Sequence, residues 1–173
     1  MCTHSFPLTA ACHEPLPRGA ALTINDSKTD RSDKIAWKWK GLTGLEDFGS
    51  PSATSSLSLC IADAAGNLKL SATMPATGVC AGNNCWRATK SGYSYADPEL
   101  TPKGIRSASL RASTSGAGSI KIKGKGEYLS LGELPLALPA TVRLVRSDAP
   151  VCWESRFTTA TRNEGSVFRA KVE

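Results

Sequence analysis

Apolar and polar residues alternate along most of this chain with the period of a β-strand. In "DKIAWKWKG", Ile35, Trp37 and Trp39 share one face, while Lys34, Ala36, Lys38 and Lys40 share the other. "SIKIKGKGEY" sets Ile120 and Ile122 against Lys121, Lys123 and Lys125, and "TVRLVR" sets Val142 and Leu144 against Arg143. In "VCWESRF", Val151, Trp153 and Phe157 oppose Cys152, Glu154 and Arg156, and in "SVFRAKV", Phe168, Ala170 and Val172 fall together. Weaker runs of strand length lie at 20–26, 57–62, 68–72, 93–96 and 105–111. Turn formers separate them: "AAGN" at 64–67, "TSGAG" at 114–118, "SDAP" at 147–150 and "NEG" at 163–165.

No window repeats apolar residues at three and four, so helices are not expected. About ten short strands, each apolar on one side, predict two antiparallel sheets packed face to face. The expected fold is therefore an all-β, antiparallel β-sandwich stapled by disulfides. A barrel is the alternative. Residues 1–17 read as a Pro-bearing lead-in or linker, and 18–173 as a single β-sandwich domain, for which 173 residues are sufficient.

Six cysteines bear on the compartment. "CAGNNCW" places Cys80 and Cys85 around a loop of turn formers and follows them with Trp86. Structural zinc would need a second close ligand pair, drawn from Cys2, His4, Cys12 and His13, and would leave Cys60 and Cys152 unexplained. A redox pair wants two intervening residues at a helix start. A staple accounts for all six: Cys80 with Cys85 closes a tight ring. Cys60 and Cys152 both take the outward parity of their strands and can meet if those strands are neighbours, which leaves Cys2 with Cys12. Six cysteines allow fifteen connectivities, so parity and proximity only rank them. Staples of this kind belong in an oxidising compartment.

The net charge of +6, with a pI near 9.1, suits nucleic acid, an acidic polysaccharide or an anionic surface. The cations are dispersed and aromatics are only 6%, which argues against nucleic acid. No apolar run approaches the ~20 residues of a membrane span. The opening residues lack a secretory signal, so either a signal has been removed or this is a piece of a longer secreted chain. Both histidines, His4 and His13, fall in the lead-in, away from any nucleophile, and no Gly-x-Ser-x-Gly elbow occurs. "GKGEY" lacks the remainder of a nucleotide loop and reads as a strand bend. Asp26, Asp30 and Asp33 match no calcium loop and read as a solvated turn. No catalytic residue, bound metal or cofactor is expected.

Two groups remain as candidate ligand contacts. Trp86, Tyr93 and Tyr95 lie in a region of poor apolar pattern and could stack sugars, although packing over the staple is the commoner use of such a Trp. Lys121, Lys123 and Lys125 line one side of a strand, as do Lys34, Lys38 and Lys40. If their strands share a sheet, they would form a patch for an acidic polysaccharide or an anionic cell-envelope surface.

"LTINDSKTDRSDKIAWKWKG", "DFGSPSAT", "LSLCIAD", "CAGNNCWRAT", "GYSYADPELTPKGI", "IKIKGKG" and "APVCWESRF", taken in order, resemble a domain of unknown function that recurs in secreted bacterial proteins, in tandem or appended to other extracellular modules. The resemblance covers about residues 12 to 173 and is strongest at the two Cys-Trp steps and at Gly-Tyr-x-Tyr-x-Asp. It implies that Cys60, Cys80, Cys85 and Cys152 are recurrent cysteines, and it implies an extracellular setting among other modules of the same chain. The expected function is that of a secreted, non-catalytic accessory or cell-surface module. A carbohydrate-binding module and an extracellular hydrolase are the alternatives.

Overall fold

The computed structural model describes Cys2 and residues 11–173. Fourteen strands run in chain order: β1 Pro15–Asn25, β2 Lys34–Leu42, β3 Leu57–Ala62, β4 Leu68–Met74, β5 Val79–Cys80, β6 Asn83–Asn84, β7 Trp86–Thr89, β8 Gly92–Ala96, β9 Ile105–Ala112, β10 Ala117–Lys125, β11 Ala140–Arg146, β12 Cys152–Phe157, β13 Arg162–Glu164 and β14 Val167–Lys171. Eight form one antiparallel sheet in the order β13-β14-β1-β2-β10-β9-β8-β7, and four form a second in the order β12-β11-β3-β4. The only helical elements among the described residues are three short 3-10 turns. The architecture is the expected all-β sandwich. Its extra strands are short segments (β5, β6, β7 and β13) with too few residues to display an alternation.

The inward parities build the core. From the large sheet come Leu22, Ile24, Trp37, Trp39, Leu110, Ile120, Ile122 and Phe168; from the small sheet come Leu59, Ile61, Leu70, Val142, Leu144, Trp153 and Phe157, all essentially inaccessible. Burying side chains of this size stabilises the fold by roughly 1.5–3 kcal/mol each. The tryptophans also tie the layers through polar bonds. Trp37 Nε1 donates to Ser155 Oγ at 3.2 Å, and Trp39 Nε1 donates to the Glu154 carbonyl at 3.2 Å, both from β2 to β12. Trp153 Nε1 donates to Thr43 Oγ1 at 3.0 Å in the return direction. Gly118 on β10 is required by close packing, since an added Cβ would sit 2.2 Å from Thr43 Cγ2.

The disulfides differ from the ranked pairing. Cys80 bonds Cys85 as expected, but Cys60 bonds Cys2 and Cys152 bonds Cys12. Cys60 and Cys152 do share the outer face of the small sheet, opposite Arg143 and Val145 of β11. That register is also why they cannot meet: β11 lies between them. Two strand spacings amount to ~9.5 Å, beyond the ~7 Å Cα separation a disulfide can bridge. Each reaches a cysteine of the N-terminal region instead, with Cα–Cα distances of 5.7 Å for Cys2–Cys60 and 4.6 Å for Cys12–Cys152.

The expected lead-in is correspondingly shorter and better anchored. β1 begins at Pro15, inside the stretch 1–17, and His13 runs beside the edge of β12. The His13 amide donates to the Cys152 carbonyl at 2.8 Å, and the Glu154 amide donates to the His13 carbonyl at 2.9 Å. A sheet edge that would otherwise offer unpaired backbone groups is thereby covered.

Candidate functional site

Trp86, Tyr93 and Tyr95 do not form an exposed stacking platform. In the β7–β8–β9 register, Trp86 lies opposite Tyr95, Tyr95 opposite Ala108 and Tyr93 opposite Leu110, so all three project to the inner face. Trp86 is 2% exposed and Tyr95 4%. Their rings pack with centroids 5.0 Å apart, beside the Cys80–Cys85 ring. Burial, helped by the nearby Asp97, pushes the Tyr95 hydroxyl up to about 12. Tyr93 is half-buried and donates its hydroxyl to the Gly49 carbonyl at 3.1 Å. The sugar-stacking expectation is therefore corrected. The alternation in "SGYSYAD" carries small residues on the outward side, so the apparent lack of an apolar pattern hid a strand whose aromatic side is core.

His4 lies outside the described residues. His13 sits in a polar cluster with Asp47 and Thr43. Its Nδ1 is 3.0 Å from the Leu42 carbonyl, which can only accept, so Nδ1–H is the donor. Its Nε2 lies 3.4 Å from Asp47 Oδ2. Asp47 Oδ2 also accepts from Thr43 Oγ1 at 3.0 Å and from the Gly44 amide at 2.7 Å. Both ring nitrogens thus face acceptors, and the Thr43 hydroxyl is engaged with Asp47 and Trp153 rather than with the imidazole. This arrangement latches the His13 segment to the end of β2 and the loop that follows.

Asp26, Asp30 and Asp33 occupy the β1–β2 connection as a turn, but Asp33 is buried rather than solvated. Burial raises its carboxyl; an amide from Ser27 at 2.8 Å opposes the shift, and Asp26 and Asp30 add to it. No group of three or more His, Cys, Asp or Glu arranged to hold a metal occurs among the described residues.

The lysines are brought together. β2 and β10, 75 or more residues apart in the chain, are neighbours in the middle of the large sheet. Lys121 lies directly opposite Lys38, and Lys125 directly opposite Lys34, while Lys123 faces Ala36. Opposed residues on an antiparallel pair stand about 4.5–5.5 Å apart at Cα, and like charges there cost up to about 1 kcal/mol per pair. Local packing does not offset this. The seven contiguous strands from β14 to β7 contain twelve lysines and arginines and not one aspartate or glutamate. None of the twelve is in an ion pair among the described residues. Carboxylates are paired outside these strands, as in the Asp63–Lys69, Asp148–Arg146 and Glu164–Arg162 pairs.

Two depressions open on this face. The larger, of about 630 Å³, is bounded by Arg18, Lys38, Lys40, Lys121 and Lys171, with Ala21 and Ser119 as floor and Glu173 as its one carboxylate side chain. The smaller, of about 300 Å³, abuts it along the strands and is bounded by Lys34, Lys123, Lys125 and Arg106 over Ala36 and Gly124. Long cationic side chains around short ones produce the relief. In low dielectric contrast with their sheet floor, clustered cations raise the local concentration of an anion.

Fold and face together define an antiparallel, disulfide-stapled β-sandwich with a segregated cationic sheet. Comparisons with family models, with curated proteins and with solved structures find no match to the chain. No helix among the described residues is long and apolar enough to cross a membrane.

Proposed function

We propose that this is a secreted, non-catalytic accessory module of a larger extracellular protein, and that the outer face of its eight-stranded sheet holds an acidic polysaccharide. The observation that carries the proposal is the segregation of charge: seven adjacent strands with twelve cations, no carboxylate, and lysines set directly opposite lysines. Dispersed lysines that served only solubility would be interspersed with acids, which lowers their mutual repulsion. An anionic polymer supplies the missing counter-charge. The extracellular setting is supported by three disulfides, which persist in oxidising compartments, and by the motif resemblance.

The face favours a polysaccharide over a nucleic acid. Its short outward residues on β1 and β9 include Thr23, Ser107 and Ser109, which can bond sugar hydroxyls. The aromatics of β7 and β8, which could have stacked on bases, project inward.

The experiment is retention on a sulfated polysaccharide column. The parent is retained at low salt and released as the Debye length falls from ~10 Å at 0.1 M toward ~3 Å at 1 M. Changing Lys121, Lys123 and Lys125 together to Gln lowers the eluting salt. Elution of the triple variant at the parent's salt overturns the proposal.

A further inference from the structure

We infer that a single linear acidic polysaccharide chain lies along the β2–β10 seam, parallel to the strands, and occupies both depressions at once. The inference rests on the acidic-polysaccharide reading above and adds direction, length and stoichiometry to it.

Direction follows from the flanks. Crossing the sheet from Lys38 leads to Ala21 on β1, and crossing from Lys121 leads to Ser109 on β9. One level along, Ala36 is flanked by Thr23, and Lys123 by Ser107. At these two levels the seam is thus a lysine-rich double row between uncharged, short-chained positions, with Lys171 and Arg169 one strand further out on β14. A polyanion laid across the strands at the Lys38 level meets Lys171 only beyond the uncharged Ala21, and on the other side meets Arg87 only beyond Ser109 and Ser94. Laid along them, it meets a cation at nearly every outward position of one strand or the other.

Length follows from the strand rise. Outward residues recur every two positions, about 6.8 Å, and Lys40 to Lys34 is about 20 Å of β2. Measured along the strands, both depressions fall within that span: the larger straddles Lys38, Lys40, Ser119 and Lys121 and also reaches across β1 to Lys171, and the smaller straddles Lys34, Ala36, Lys123 and Lys125. No uncharged outward position separates them on β10, where Lys121 belongs to one and Lys123 to the other. A chain long enough to fill one depression therefore gains the other as an intramolecular contact, with the affinity step that an effective concentration supplies.

The test uses size-fractionated oligosaccharides, one series sulfated and one carboxylated, titrated calorimetrically at low salt. Three proteins are compared: the parent, a Lys38→Gln/Lys121→Gln variant that removes the two seam lysines opposed in the larger depression, and a Lys34→Gln/Lys125→Gln variant that removes the two opposed in the smaller. All four substituted side chains are outward, so both variants keep the core, and thermal melts verify that they fold. For the parent, short oligosaccharides bind two per protein and long ones bind one, with affinity rising sharply once the chain reaches about 20 Å. Each variant loses at least about tenfold affinity for long chains and no more than about twofold for short ones, because the remaining depression still accepts a short chain. Whichever series shows the sharper step identifies sulfate or carboxylate as the preferred group. One-to-one binding at all lengths, or equal losses for short and long chains in both variants, overturns the threading while leaving the acidic-polysaccharide reading standing. Absence of binding by both series overturns that reading as well, as does equal binding of a single-stranded oligonucleotide of matched charge.

Discussion

Removing the Cys12–Cys152 bond will cost far more stability than removing Cys80–Cys85, and the difference can be worked from the loops they close. The sequence separations are 140 and 5 residues. In the chain-entropy model these correspond to about 5 and about 2 kcal/mol of denatured-state entropy removed. Cys2–Cys60, with a separation of 58, lies between them at about 4 kcal/mol. Two corrections narrow the gap. The Cys2–Cys60 bond shortens the path from Cys12 to Cys152, which trims the larger figure by a few tenths of a kcal/mol. Cys80 and Cys85 are both buried beside Tyr95, whereas of the other pair only Cys152 is buried, so truncating the short-loop pair forfeits somewhat more packing, by up to about 1 kcal/mol. About 2 kcal/mol of difference remains. The assay is guanidinium unfolding of the paired variants Cys12→Ala/Cys152→Ala and Cys80→Ala/Cys85→Ala, compared at equal m-value so that a change in the denatured state is recognised. Equal losses, or a larger loss for the short loop, would refute the reasoning. Non-reducing peptide mapping supplies the independent check: a Cys60–Cys152 peptide would show the connectivity to be wrong.

Trp86 Nε1 is buried without a hydrogen-bond partner among the described residues, whereas Trp37 Nε1 donates to Ser155. Trp37→Phe therefore leaves a buried hydroxyl stranded and should cost about 1–3 kcal/mol more than Trp86→Phe by chemical denaturation; equal costs would contradict the assignment. At the β3–β4 turn, burial alone would raise the Asp63 carboxyl, but bonds from the Asn67 side chain and the Asn67 and Ala65 amides, together with the Lys69 ammonium, hold it below the usual range. A depressed folded value means that its contribution is present above the unfolded value of ~3.9 and is lost as pH falls through the folded one. The stability gap between the parent and Asp63→Ala should accordingly shrink below about pH 4, and a gap constant with pH would refute this. Replacing Lys38 and Lys121 with Gln removes one opposed like-charge pair and should raise stability by a few tenths to about 1 kcal/mol at low salt, with the gain vanishing at 1 M. A loss of stability at low salt would mean that the two ammonium groups are not in mutual repulsion.

Parity along a strand is a local property, and the sequence expresses it directly. The inward set Ile35, Trp37 and Trp39, and the outward set Lys34, Lys38 and Lys40, follow from the period of two and are found as expected. Strand order is not local. Cys60 and Cys152 have the right parity and the right sheet, yet the interposed β11 decides their bonding, and nothing in the alternation of either strand encodes that neighbour. The same limit hid the role of Cys12, whose partner lies on β12, the edge beside which the chain runs at His13. For Trp86, Tyr93 and Tyr95 the obstacle was composition. When the outward residues are Gly, Ser and Ala, polarity no longer distinguishes the two sides, and only the pairing of Tyr95 with Ala108 and of Tyr93 with Leu110 shows which is core.

The lysine face lay between these cases, and this explains how it could be both visible and incomplete in the sequence. Each strand announced an outward cationic side, but a row of lysines on one strand is ordinary, because at spacings of about 6.8 Å in water the charges repel weakly. Adjacency changes the energetics. With β2 set against β10, lysines stand opposite lysines at roughly 5 Å, and the strands on either side contribute no carboxylate to offset them. A single Glu at position 36, 107 or 109 would relieve the repulsion without touching the core, since all three side chains are outward. The present residues there are Ala36, Ser107 and Ser109. The fold therefore tolerates an electrostatic cost that small outward changes could remove, and an anion bound from solution would remove it too. Stability and binding are consequently coupled with opposite sign on this face: substitutions that stabilise the free protein at low salt are the ones expected to weaken its hold on an acidic chain.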